Sequence, residues 1–578
     1  MNWQLPNLKN SNNTLDRLLT TAYLGLCGLF SVILIQTGNA VYEAGTGDHL
    51  VVSPAGLLRA DPSLYLNDFF IRQAKMPHWA FEFYTALASR LDQLGPMYFA
   101  YWLLTALFCA YAHLIFARKV ASRFSYPLAL VMFTTQLMGT RTMFGTSGVL
   151  LNQALPHGLA ASIGFVVIAS LLTNKRNIVF VYLPILSLIH IQIGTIVVGL
   201  VMVLIVLEKI GGQAIRRAHL VSFGLSVCSI LFGLRYRPIA GNIQDFSRLC
   251  RDLAPHHCYS PSWSNTIILG CLAILAVALI GFFFISNSVL SFWQRLTIFV
   301  LPTIALAMTL FLDRNDLGWL ANFVRGNNVY RVAVVLLPWL YWVPVLIASS
   351  EGRKAWKLSG IFVSVLLLTT LMTLTEHGNY FESKPVLLIA LFAIVGCVYF
   401  VDRSNFLQSN QILFSLLMVC VACVPALSGL KFGQDSFGWP NLTFEPDSNI
   451  RSFGESLRLD VKKGQVVVGD PAMSWTRMAS GIAYGVDCKF RPIGGGEPLN
   501  EYYDRINPLG GYDKACNYGS FSSVSVNDLI RYYQASSADL LLISPDDARL
   551  AQLTAIGWKT EPSVHVKLFG WVLVGKPE

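Results

Sequence analysis

Long apolar runs recur along residues 1–430 of this 578-residue chain, and no other feature constrains its fold as strongly. A helix needs roughly 20 apolar residues to cross a hydrocarbon core about 30 Å thick. Segments 18–38, 97–117, 157–173, 219–234, 264–286, 296–312, 332–349, 358–375, 385–401 and 411–428 meet or approach that length, and 126–139 is a shorter candidate. The run 178–207 would measure about 45 Å as one helix, too long for a modest tilt. The polar interruption His190-Ile191-Gln192-Ile193-Gly194 predicts two short helices with a turn near His190.

Charge sorts the chain into two parts. Charged residues make up 13% of the whole, where a soluble domain carries about 25%. Residues 1–430 hold 28 Lys/Arg and 16 Asp/Glu, whereas residues 431–578 hold 15 and 17. The basic surplus therefore lies between apolar spans, where the positive-inside rule accounts for it and a nucleic-acid partner is not needed. With 178–207 split, Arg118, Lys119, Arg123, Lys175, Arg176, Lys209, Arg216, Arg217, Arg295, Arg353, Lys354 and Lys357 fall on one side. The expected fold is thus an α-helical polytopic membrane protein of about 13 transmembrane helices. Residues 1–17 form a cytoplasmic N-terminus, 18–430 the membrane domain with a long external loop 39–96, and 431–578 an external domain.

That last region reads as a small α/β unit. Gln465–Val468 and Ala538–Ile543 suit strands, Asn527–Gln534 and Asp546–Ile556 suit helices, and Val564–Val566 with Trp571–Val574 suggests a terminal hairpin. Of the eleven cysteines, Cys420 and Cys423 make a C-x-x-C inside an apolar run, where they read as small core residues. Cys250 with Cys258, and Cys488 with Cys516, each suit a disulfide in an oxidising compartment, and spacing does not choose between the pairs.

Polar chemistry collects on the external side. Loop 39–96 carries Gly47-Asp48-His49 and Arg59-Ala60-Asp61-Pro62-Ser63-Leu64-Tyr65-Leu66-Asn67-Asp68, followed by an aromatic amphipathic stretch suited to the membrane surface. Later external segments add His157, His190, Arg248, Arg251, His256, His257, Asp313, Asp316, Arg325 and Arg331. Such a face offers carboxylates for general base work and arginines for phosphate.

This architecture resembles the GT-C class of polytopic membrane glycosyltransferases, which take sugars from polyprenyl-phosphate carriers. The run Asp61-Pro62-Ser63-Leu64-Tyr65 with Asp68 is similar to the first-loop pattern of bacterial membrane proteins placed near that class, and Arg491-Pro492 to Glu501-Tyr502-Tyr503-Asp504-Arg505 to their external domain. The resemblance implies a bacterial inner-membrane enzyme whose first loop carries the base, Asp68 helped by Asp48. It implies that Asp61, His49, His190, Arg248, Arg251, Arg325 and Arg331 bind substrate. The implied donor is a polyprenyl-phosphate sugar, and the acceptor a glycan, lipid or protein. Many family members carry adjacent acids or D-x-D, while Asn67-Asp68 stands here, so a single base is expected; a divalent metal is compatible and not indicated.

Each residue also has a plainer reading. Asp68 suits a helix N-cap, Asp48 a turn after Gly45-Thr46-Gly47, Asp61 a turn before Pro62, and His190 an interfacial helix end. Each external arginine also suits a headgroup-level anchor. A lipid or small-solute transporter and a non-catalytic membrane scaffold are the competing functional classes. Few ionisable residues and no repeat lie in the spans, which disfavours an ion-coupled transporter.

Overall fold

The computed structural model describes residues 8–37, 42, 44–73, 78–120, 125–137, 142–144, 146–147, 153–173, 176–212, 217–235, 242–350, 442, 444, 448–492 and 496–576. The expected spans 358–375, 385–401 and 411–428, and Cys420 and Cys423, lie outside these residues. The chain opens with α1 (Leu8–Thr37). Four short helices follow, α2 (His49–Val52), α3 (Pro54–Ala60), α4 (Phe69–Gln73) and α5 (Trp79–Arg90). Then come α6 (Leu94–Val120), α7 (Ser125–Leu137), a small hairpin β1 (Thr142–Met143) and β2 (Thr146–Ser147), α8 (Pro156–Leu172), α9 (Arg176–Ile189), α10 (Ile191–Ile210), α11 (Arg217–Leu234), α12 (Ile243–Asp252), α13 (Pro255–Cys258) and α14 (Asn265–Phe284).

Among the described residues, five helices are long and apolar enough to cross a membrane, at Thr14–Val32, Leu94–Val120, Ile191–Ile210, Asn265–Phe284 and Phe292–Arg314. Shorter apolar helices accompany them, including Pro156–Leu172, Ile178–Ile189 and His219–Leu234. Their outer faces are not polar: Phe283, Phe284, Leu269 and Leu220 are all more than 60% exposed. Water would penalise each such side chain by about 1.5–3 kcal/mol, whereas acyl chains solvate it. Some polar groups inside the bundle are paired across helices. Trp342 Nε1–H donates to His113 Nδ1 (3.1 Å), leaving His113 Nε2–H to donate to Gln136 Oε1 (2.6 Å).

The run 178–207 is broken at His190, as its polar interruption predicts. His190 takes an extended backbone (φ −149°, ψ 105°), ends α9 and caps α10. The break reverses the chain, so the helices alternate in direction. Lys119 near the end of α6 donates to the last carbonyls of α8, at Leu172 O (2.8 Å). At the opposite end lie the short first-loop helices, the starts of α8 and α10, and residues 242–263 and 313–331. Segment 332–349 is interrupted rather than continuous: helices Ala333–Leu340 and Val343–Ser350 are separated by a turn, with Pro338 in the first.

Residues 448–576 build a five-stranded sheet, ordered β4 (Ala483–Tyr484), β3 (Val466–Val468), β5 (Leu540–Ile543), β7 (Val572–Gly575), β6 (Lys559–Thr560). β3 pairs parallel with β4 and β5, and β7 pairs antiparallel with β5 and β6. β3 and β5 are continuous apolar runs, buried along their whole length as central strands require. The partner of the last strand differs from expectation. Val566–Phe569 is a 3-10 turn, and β7 pairs with Lys559–Thr560 instead, because Val566 is drawn into the core beside Phe453 and Leu573.

The sheet unit does not stand apart from the first loop. Leu57, Tyr65, Phe70 and Ile71 share one core with Val486, Phe490, Tyr502 and Leu529, joined by Leu249 and Leu253 from α12 and its end. Asn67 Nδ2 donates to Gly464 O (2.7 Å) and Tyr65 N–H to Gly481 O (2.7 Å).

Candidate functional site

Two carboxylates of the first loop compete for a chemical role, and their surroundings differ. Asp68 precedes α4, and its Oδ1 accepts the Ile71 N–H (3.0 Å), an N-cap. Its Oδ2 accepts Arg477 Nε–H (2.8 Å) and the Tyr484 N–H (3.1 Å). Asp68 and Arg477 are both sealed from solvent. Arg477 also pairs with Asp487, donates to Tyr484 O (2.7 Å), and lies near the rings of Phe70 and Phe490. Burial by itself would lower the Arg477 pKa, but Asp487 and Asp68 drive it upward. Asp68 therefore has no surface to offer an acceptor. It fastens the first loop to the sheet unit.

Asp48 is the contrasting case. Gly45 and Gly47 both take positive φ (77° and 53°), which turns the chain just before α2. Gln153 closes over that turn: its Nε2 donates to Thr46 O (3.1 Å), and its Oε1 accepts the Asp48 N–H (3.3 Å). A β-carbon at Gly47 would sit 2.5 Å from Gln153 Nε2, so any larger residue there would have to displace the Gln153 amide. Asp48 occupies the N-cap position of α2 without using its side chain to cap. The carboxylate reaches Lys489 Nζ instead (2.9 Å) and remains 45% exposed. Burial tends to raise the Asp48 pKa, but Lys489, His157 and His257 outweigh it and hold the group below the usual carboxylate range.

His49, next in sequence, is fully buried and braces the loop. Its Nδ1 accepts the Gly45 N–H (3.1 Å), so Nε2 carries the proton and donates to Ala154 O (2.9 Å). Burial pushes its pKa down to about 4. Segment 153–157 thus receives the first loop at two points and continues directly into His157, at the start of α8.

Behind Asp48 lies a group of histidines around Arg331. His190 Nε2 is 3.1 Å from Arg331 Nη1, and His190 Nδ1 is 3.3 Å from the Ile193 N–H that it caps. A neutral imidazole has one acceptor nitrogen, and neither the guanidinium nor the amide can accept. One N–H of this trio is therefore left without an acceptor. The His78 ring packs on His190 (centroids 4.8 Å apart), and buried nitrogens of His78 (Nδ1) and His157 (Nε2) have no hydrogen-bond partner. Burial, with Arg331 and His157 adding to it, lowers His78 to about 3. Gln192 donates to Asn327 O and Asn328 O, and so clamps the turn that delivers Arg331. The polar interruption in 178–207 therefore supplies both a site residue and its support.

The other expected residues lie elsewhere. Arg325 is buried against Asp313, with Nη1 on Asp316 (2.7 Å); Tyr330 Oη (2.8 Å) and the Ser260 N–H (2.6 Å) fill the rest of Asp313. Its donors are committed to this network, so its place is structural. Arg248 lies over the Tyr503 ring (3.8 Å), and Arg251 pairs with Asp252 (2.8 Å), both on the outer face of α12. Asp61 is an exposed turn residue that accepts the Ser63 N–H (2.9 Å). Of the nine expected site residues, Asp48, His190 and Arg331 gather in one place, with His49 beneath them. His78, His157 and Lys489 belong with them and were not singled out as site residues. Their signal was weak, because single histidines and a lysine far apart in sequence carry no spacing. Among the described residues, no group of three or more His, Cys, Asp or Glu is arranged to hold a metal ion.

Both candidate disulfides are formed, Cys250–Cys258 and Cys488–Cys516. Comparison with known proteins adds nothing to the geometry: no family model, no curated protein and no solved structure matches the chain.

Proposed function

We propose that this protein is an integral membrane glycosyltransferase, moving a sugar from a polyprenyl-phosphate carrier to an acceptor hydroxyl on the extracytoplasmic face. The observation that carries the reading is the placement of one uncapped, accessible carboxylate, Asp48, beside Arg331 and buried histidine nitrogens that have no hydrogen-bond partner. The role of base, which the resemblance gave first to Asp68, passes to Asp48.

In this mechanism Asp48 takes the proton of the acceptor hydroxyl as its oxygen bonds to the anomeric carbon. The bond from that carbon to the carrier phosphate breaks, and the phosphate leaves with an additional negative charge. Arg331 neutralises it, and N–H groups of His190, His78 and His157 find in it the acceptor they lack. Fixed donors aimed where charge develops lower the barrier without reorganising. The carrier's tail would run along an apolar surface. Val335 and Trp339, one and two turns beyond Arg331, line a shallow apolar cleft with Leu200 and Leu204 of α10 opposite. The two disulfides support an oxidising compartment for this end of the molecule, and the Arg118 and Lys119 end of α6 supports the cytoplasm for the other.

The test is turnover of radiolabelled polyprenyl-phosphate hexoses by the full-length protein in lipid nanodiscs, with and without divalent metal. Asp48→Asn is expected to lower turnover by about 10²–10⁴-fold with the fold retained. Equal turnover in wild type and Asp48→Asn removes Asp48 as the base, and no turnover of any donor by folded wild type removes the enzyme class.

A further inference from the structure

Asp48 has basic side chains on its outer side as well, supplied by two segments that the disulfides fix. The Cys250–Cys258 bridge closes the loop that carries His256 and His257, whose ring centroids lie 4.0 Å apart at a 45° tilt. The Cys488–Cys516 bridge holds the residue next to Lys489. Arg491 ties the two segments together: it donates to Leu253 O and to Cys488 O (3.1 Å), and its guanidinium lies over the Tyr512 ring. The nearby Asp252 is already engaged by Arg248 and Arg251. Asp48 therefore lies between Lys489 and Arg331, ion-paired to the first and within electrostatic reach of the second.

We propose that Lys489 and His256, on this disulfide-pinned rim, bind an anionic group of the acceptor, a phosphate or carboxylate near the hydroxyl that receives the sugar. This rests on the reading of Asp48 as the base. In the free protein Lys489 holds Asp48 as an ion pair, which makes the carboxylate a poor proton acceptor. An anionic acceptor draws Lys489 away and frees the base only when a hydroxyl is in place, which disfavours transfer to water. The setting supports the assignment, since burial, then His257, Arg491 and Lys489, depress His256 to about 4, and a bound anion would push it back up.

Direct binding tests this apart from turnover. The full-length protein in nanodiscs of neutral lipid is titrated with glycerol 3-phosphate against glycerol, and separately given phosphatidylglycerol against diacylglycerol in the disc. These arms distinguish a soluble anion from a lipid headgroup. Wild type is expected to prefer the anionic member of at least one pair by tenfold or more. Lys489→Gln and His256→Gln lose that preference, Lys489→Arg restores it, and Arg531→Gln, an exposed cation elsewhere on the sheet unit, leaves it intact. Equal affinity for both members, no binding of either, or an undiminished preference in Lys489→Gln overturns the proposal. If donor turnover fails while these preferences hold, it is the glycosyltransferase reading that falls and the anion site that stands.

Discussion

Gly47 concentrates the demands of the site in one residue. Its φ of +53° costs an ordinary L-residue about 1–2 kcal/mol, and the space a β-carbon would need is filled by the Gln153 amide. Gly47→Ala is therefore expected to push Gln153 off the turn and move Asp48 away from Lys489. Donor turnover should fall by about tenfold or more, while the melting temperature drops by only a few degrees. Unchanged turnover would show that the turn does not set the position of Asp48. Two acids twenty residues apart in one loop acquire opposite roles by similar reasoning. Asp68 accepts three hydrogen bonds and is sealed from solvent, whereas Asp48 keeps a face open.

At the scale of elements, the connection between the first loop and the sheet unit depends on Arg477. It places one guanidinium between Asp68 of the loop and Asp487 of the sheet unit, all three out of reach of water. Removing one partner of such a buried pair leaves uncompensated charge and costs roughly 3–5 kcal/mol. Arg477→Leu should lower the thermal stability of the purified protein by that order, since it strands two carboxylates, and Asp68→Asn should do so less severely because the amide still accepts hydrogen bonds. A stable Asp68→Asn protein with no donor turnover would return Asp68 to the chemistry. The break at His190 is a second element-scale device: one residue ends a helix, caps the next and faces Arg331.

For the whole molecule, pH acts through histidines kept neutral by burial. His49 joins the first loop to the start of α8 and has its pKa lowered from 6.5 to about 4. Because its folded pKa lies below the unfolded one, the unfolded chain binds the proton first. The contribution of His49 to stability is complete above about pH 6.5 and is lost as pH falls toward 4, with a slope approaching roughly 1.4 kcal/mol per pH unit. Thermal unfolding from pH 7.5 down to 4.5 should show the melting temperature falling below about 6.5. His49→Gln, whose amide does not titrate and can still donate to Ala154 O, should weaken that dependence, leaving the share of the other buried histidines. An identical pH dependence in the variant would place the sensitivity elsewhere.

Much of the organisation was legible in the amino-acid order, because the physics behind it is local. Apolar run length marks the candidate spans, the polar residues at 190–194 mark a helix break, and continuous Val and Leu runs mark the central strands at 466–468 and 540–543. The terminal hairpin was misjudged at Val564–Val566, since burial of Val566 beside Phe453 is a long-range packing choice. The candidate site was legible in part: Asp48, His190 and Arg331 could be named from segments expected to be external, but not ranked against Asp68, Arg325 or Arg251. Ranking depends on which oxygens and N–H groups are already satisfied, and those partners come from distant positions: Arg477 for Asp68, Asp313 for Arg325, Lys489 for Asp48. Sequence alone determined which segments are apolar and where the chain turns. Only the tertiary structure decided which charges neutralise one another and which are left to meet a ligand, because that depends on distances between residues up to hundreds of positions apart.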